Sequence, residues 1–414
     1  MEKRNIIAGF ELGEKNSQIT IYDRKENNAS CVPVKVGGSD SEFATALSKK
    51  EDSQQWHFGR EAQYFAAQQQ EILVDNLYEL CRDNKEAEVG TKRYRASELL
   101  TVFLREGLRL AGISEPSQEL SALMVTVPGI TRELVENVRA AFQELGIARG
   151  RGFLQDYDES FYYYTLYQRP DIWSRKVGMF LFEDREVSFK SLDMNDKTRP
   201  VLVSVGQGER MTLPEDPREK DSAFQGMIER AFGDEVYSSV FLMGDGFSRD
   251  WAKKSVLLLC RHRRHVFMGN NLYVKGACYA AKEKIEERML KGYLFVSRDL
   301  VRHNIGMEMT VNGSNTYYLL IPAGINWYEA VRDVEILLNG ERDLTFSVSS
   351  MDDGTRNRYS MELPGLPERP DKATRLHLHL EYISPGECTI EVRDEGFGEL
   401  FPSSGLVWKE IMRG

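Results

Sequence analysis

The sequence predicts an α/β domain built from two related halves, followed by an all-β sandwich. A strand hairpin followed later by strand, turn and helix occurs twice, in the same order. After Gly292 helical periodicity gives way to short strand-like runs. The length of 414 residues also exceeds one ordinary core, since single cores stop growing at about 250–300 residues.

The elements follow in chain order. Asn5 to Phe10 is apolar and β-prone, Gly9 and Gly13 bracket a turn, and Ser17 to Tyr22 alternates polar with apolar, which predicts an opening hairpin. Ser121 to Pro128 reads as a strand. Thr131 to Gly146 reads as a helix, with Leu134, Val138, Phe142 and Leu145 at helical spacing and Gly146 as the stop. A second hairpin runs through Val177 to Glu183 and Glu186 to Leu192, turning at Asp184 and Arg185. Ser239 to Met243, the turn Gly244-Asp245-Gly246 and a helix over Asp250 to Cys260 then repeat the strand, turn and helix. Two halves facing one cleft are expected. Beyond Gly292, strands are expected at Thr316 to Ile321, Asp343 to Ser349, Arg358 to Leu363, Thr374 to Tyr382 and Cys388 to Arg393, separated by Pro, Gly, Asn and Asp turns.

Apolar residues at 41% and charged residues at 29% are ordinary for a globular protein. The opening MEKRNIIAGFELGEK holds too short an apolar stretch for a signal peptide or a membrane span. Cysteines 31, 81, 260, 278 and 388 are scattered without a CxxC pair. Together these predict a cytoplasmic protein with reduced thiols. A net charge of −10 disfavours nucleic acid and anionic membrane as partners. The basic run Arg261-His262-Arg263-Arg264-His265 beside Cys260 invites a phosphate or metal contact. Neighbouring arginines oppose a cation, however, so a solvated loop ending an apolar helix is the expectation. In TRLHLHLEY the leucines share one strand face and His377 and His379 the other, which predicts solvated histidines and no metal.

The order of these elements resembles the actin and sugar-kinase superfold, and more closely the 70-kDa heat-shock chaperones. GFELGEKNSQITIYD stands where that family carries its first phosphate loop, and SALMVTVPGITRELVENVRAAFQELGI is similar to its strand, Val-Pro and helix. FLQDYDESFYYYTLY resembles its Glu-Pro-x-Ala-Ala region, SSVFLMGDGFSRDW its adenosine motif, and YVKGACYAA its closing Gly-Ala-Ala helix. LFVSRDLVRHNIGMEM, YYLLIPAGINW and MELPGLPERP are similar to the family's linker and peptide-binding β domain. The shared order covers about residues 5 to 395. The resemblance implies an actin-like, ribonuclease H-like duplicated domain over residues 1–292, a linker over 293–304 and a β-sandwich of the substrate-binding type over 305–414.

It also implies a relic nucleotide site at Gly9, Glu11, Gly13, Lys15, Asn16, Gly244, Gly246, Ser248 and Gly276, and peptide-binding candidates at Met309, Leu344 and Phe346. Phosphoryl transfer in such a cleft needs backbone N–H groups close to phosphate, and carboxylates holding hydrated magnesium. Here Glu14 and Lys15 replace the family's threonines and Glu11 its aspartate. Glu183-Asp184-Arg185-Glu186 replaces a glycine-rich second loop, and Asp75 to Leu80 lacks the catalytic lysine. Fewer than fifty residues, Leu192 to Ser239, stand where the family clamps adenine.

The expectation is therefore a catalytically silent, chaperone-like scaffold with no catalytic residues and no cofactor beyond weak ATP or ADP with magnesium. Its partner would be a protein or peptide, bound through the β domain or the relic cleft. The family's helical lid is not expected, since some dozen residues follow Phe401. Two alternatives are an active Mg-ATP-dependent ATPase using Glu11 or Glu183 for magnesium and Lys15 for phosphate, and an actin-like assembly protein. The aromatic run Phe161 to Tyr164 with Tyr167 is expected to pack against a sheet.

Overall fold

The computed structural model describes residues 5–35, 37–311 and 313–413 and divides into two compact units, Met1–Phe295 and Val296–Gly414. The first is mixed α/β and the second is β-rich.

The first unit contains two sheets with one plan. In the first, β1 (Ile6–Leu12), β2 (Asn16–Asp23) and β3 (Asn28–Cys31) form an antiparallel meander, while β4 (Leu120–Val127) runs parallel to β1, and β5 (Gly152–Asp156) parallel to β4. In the second, β6 (Lys176–Glu183), β7 (Glu186–Asn195) and β8 (Val201–Thr212) form the meander. There β9 (Tyr237–Met243) lies parallel to β6, and β10 (His265–Met268) parallel to β9. Both sheets thus run third-second-first-fourth-fifth, so the repeated motif order in the sequence is a repeated topology. The predicted linker begins instead as a strand, β11 (Tyr293–Phe295), paired with Val201–Val203 of the second sheet.

Helices cover both faces of these sheets, which is why central strands such as VGMFLFE are buried on both sides. On the first sheet, α1 (Ala96–Leu110) and α2 (Arg132–Glu144) lie on one side, where Phe103 packs edge-on to Phe10. The Thr131 hydroxyl caps α2 by accepting from the Leu134 amide at 3.2 Å. On the second sheet, α4 (Pro217–Phe232) buries Phe224, Met227 and Ile228 against Phe180, Phe182 and Val240. The remaining faces are covered by exchange. Helix α3 (Tyr157–Leu166) follows the first sheet but buries Phe161, Tyr162 and Leu166 against Val177, Met179 and Phe241 of the second. Helix α6 (Leu272–Ile285) follows the second sheet but packs Ala277 and Cys278 on Ile7, Ala122 and Met124 of the first. The aromatic run is therefore largely core. The predicted helix over Asp250 to Cys260 is shorter, α5 (Lys253–Leu259), because Ser248 to Ala252 is spent in a turn.

The second unit is a pair of four-stranded antiparallel sheets. One orders β13 (Ser314–Ile321), β12 (His303–Val311), β15 (Asp343–Ser350) and β16 (Arg356–Glu362). The other orders β14 (Val331–Leu338), β17 (Thr374–Ser384), β18 (Glu387–Asp394) and β19 (Val407–Arg413). Leu376, Leu378 and Leu380 are fully buried, while His377 and His379 face outward against Asp333. Among the described residues no helix is long and apolar enough to cross a membrane.

Candidate functional site

The seam between the two halves of the first unit opens at the C-terminal end of β1. Glu11 there is register partner to Gln18 on β2 and to Thr126 on β4, and Thr126 is partner to Gln155 on β5. Directly opposed residues share a sheet face, so the four form one polar row. All four are buried. The hydroxyl of Tyr157, at the start of α3, donates to Glu11 Oε1 at 3.0 Å. Its ring stacks on Tyr273 of α6 with centroids 3.9 Å apart and planes within 6°. Ser160 Oγ lies 2.7 Å from Thr126 Oγ1 and accepts from Gln155 Nε2 at 2.6 Å. Among the described residues Glu11 Oε2 and Gln155 Oε1 have no hydrogen-bond partner.

Burial pushes the Glu11 carboxyl up to about 8; the Tyr157 hydrogen bond opposes this and nearby Glu42 adds to it. The neutral form of Glu11 is therefore favoured at neutral pH. Burial likewise raises Glu42, Tyr157 and Tyr273, and carboxylates at Asp156, Asp158 and Glu183 act on Tyr273 in the same direction. Two cations beside the seam are paired with carboxylates. Lys190 holds Asp158 at 2.6 Å, and Lys15 holds Asp184 at 3.2 Å across the mouth of the seam. Carboxylates at Glu42, Asp156 and Glu183 also act on this end of β1.

The glycines of the expected nucleotide site each accommodate protein. A Cβ on Gly9 would lie 2.5 Å from Cys278 N in α6, and one on Gly276 would lie 2.0 Å from Ser160 O in α3. At Gly13 it would meet Asn16 O at 2.2 Å and the Tyr157 hydroxyl at 3.1 Å. At Gly244, whose φ is 90°, it would meet Phe182 O at 1.9 Å, and at Gly246 Asp184 O at 2.7 Å. The loop after β9 is thus pressed onto the β6–β7 hairpin. The Gly244 amide donates to Asn270 Oδ1 at 2.8 Å, Asn270 Nδ2 donates to Asp245, and Gln18 Nε2 reaches Asn270 O at 2.7 Å. Ser248 Oγ accepts from the Asp250 amide, and Phe247 and Trp251 pack on Phe182. Near the expected lysine position, Tyr78 donates to Gly129 O. Among the described residues, no group of three or more His, Cys, Asp or Glu is arranged to hold a metal ion.

The structure brings Glu11, Gly13, Lys15 and Asn16 to the seam, with Gly244 and Gly246 opposite, while Gly9 lies where β1 meets α6 and Gly276 where α6 crosses α3. The sequence reading missed Tyr157, Tyr273 and Asn270, which complete the seam. Tyr157 lies in DYDES and Tyr273 in YVKGACYAA, and neither stretch has a periodicity that announces a stack. In the second unit Leu344 and Phe346 are buried at 2% and 0% exposure, and Met309 is half-buried. On the outer face beside them, the Tyr317 ring lies over Gly306, within 2.7 Å of where a Cβ would stand.

No curated protein matches the chain. Residues 300–413 match a domain of unknown function, DUF8552. Residues 28–298 match the C-terminal part of a family of unknown function, DUF5716. Since that match spans more than half of its length, the chain belongs to the DUF5716 family.

Proposed function

We propose that this protein is a catalytically silent scaffold on the actin-like, chaperone-related plan, which engages a protein partner and does not turn over nucleotide. The observation that carries the reading is the seam itself: the Tyr157–Tyr273 stack and a neutral Glu11 stand at the end of β1 where a phosphate would lie. Two sheets of one topology with exchanged helices support the actin-like reading, and the paired sheets of the second unit support the chaperone-related one. A nucleotide would have to displace the aromatic stack, break the Asn270 bridges and enter a carboxylate-rich field. Exposed Tyr317 and Leu319 on the outer face of β13 are the sort of surface that a protein partner would cover.

Calorimetric titration with Mg-ATP tests the silent reading. The expected result is no saturable heat and no phosphate release. Micromolar binding that disappears in Lys15→Ala would overturn it.

A further inference from the structure

Strand β10, His265–Met268, ends the second sheet: it pairs with β9 on one side, and no described strand lies on the other. The N–H and C=O groups along such an edge are a template for an added strand. Two of its side chains, on opposite faces, are open and apolar. Phe267 is 38% exposed and Met268 43%, and Leu257 on α5 is 72% exposed. The Phe267 ring stacks on Phe241, with centroids 5.1 Å apart and planes within 20°, so it is already ordered before any partner arrives.

The loop entering this strand is basic, on a chain with a net charge of −10. Arg261, His262 and Arg263 are exposed. The loop has a defined shape: His262 and Arg263 both take a left-handed φ of 60°, and Arg264 turns inward. The Arg264 guanidinium sits 4.2 Å from the Phe232 ring and donates to Leu259 O at 3.1 Å. At the other end Arg249 Nε approaches Met268 Sδ at 3.2 Å. Asp171, 3.6 Å from His265, offsets only part of this charge.

We propose that β10 is a docking edge for an extended acidic segment of a partner protein, which adds as a strand beside His265–Met268. Alternate residues of an added strand face opposite sides of the sheet. The apolar side chains of one face would therefore cover Phe267, while carboxylates on the Met268 face meet Arg249 and those beside the entering loop meet Arg261 and Arg263. Opposite charge selects the partner and speeds its encounter, and backbone pairing supplies affinity that a nucleic acid could not supply along a strand edge. This surface lies outside the seam, so nucleotide binding there would leave it standing.

The test uses the full chain and a dye-labelled octapeptide in which glutamate alternates with valine and phenylalanine, followed by fluorescence anisotropy. Saturable binding that weakens with salt is expected. Arg261→Glu with Arg263→Glu should raise Kd about tenfold or more, and Arg261→Ser with Arg263→Ser should do so less steeply. Replacing the peptide's glutamates by lysine, or N-methylating alternate amides, should abolish binding. The proposal is overturned by no saturable binding, by equal binding of the lysine or N-methylated peptide, or by preference for a single-stranded oligonucleotide over the acidic peptide.

Discussion

Glu11 shows how far single residues were legible. Its place at the end of the first strand could be read from GFELGEK. Its protonation could not, because the burial comes from Tyr157, 146 positions away in the chain, and from Tyr273 on α6. A folded-state pKa raised to about 8 makes the native state bind a proton that the unfolded chain has already released. This contribution is fully present below the ordinary glutamate range, falls as pH rises, and is gone above pH about 8. Glu11→Gln keeps an acceptor for the Tyr157 hydroxyl and removes the titration. The variant is expected to gain stability relative to wild type as pH rises from 5 to 8, at a slope approaching about 1.4 kcal/mol per pH unit, measured by urea unfolding across pH. Equal slopes would contradict the buried neutral acid. A second residue-scale prediction concerns Arg369 and Asp394, a buried bidentate pair at 2.7 and 2.8 Å. Asp394 also accepts from the Gly396 and Ser404 amides, and Arg369 holds its carboxyl well below the usual range. Arg369→Ala strands that charge and should cost about 3–5 kcal/mol by denaturant unfolding.

Elements with strict alternation or strict helical spacing were the readable ones. The β6–β7 hairpin turns at Asp184 and Arg185 because these polar residues interrupt two β-prone runs and Asp184 tolerates a φ of 54°. Strand β8 has no such pattern. Its 12 residues include Gly206, Gly208 and several exposed polar positions, so only pairing with β7 makes it a strand. Likewise β14, with its mixed exposure, and β19 were hidden from a reading that weighed apolar periodicity. The exchange of α3 and α6 between halves was also invisible, since it depends on one close approach. Gly276→Ala raises intrinsic helix propensity, yet its methyl would lie 2.0 Å from Ser160 O. A loss of about 3 kcal/mol is expected, with unfolding monitored by circular dichroism; a neutral or stabilising result would refute the crossing.

At the scale of the molecule, the division after Phe295 separates a duplicated α/β unit from a β unit whose last strand is β19. The stretch after Phe401 has a structural task as the strand that closes this sheet. Deleting residues 407–413 removes the buried Trp408 and Met412 and leaves β18 as an open edge, so that variant should lose cooperative unfolding of the second unit in calorimetry and gain a tendency to aggregate. The first unit's transition should be preserved. The central claim is that side chains have taken the place of nucleotide in the seam. A ligand that binds only the folded state raises its stability by mass action. The most direct measurement is the thermal midpoint of the first unit with and without millimolar Mg-ATP or Mg-ADP. Coincident midpoints are expected; a reproducible rise that disappears when magnesium is chelated would contradict the account.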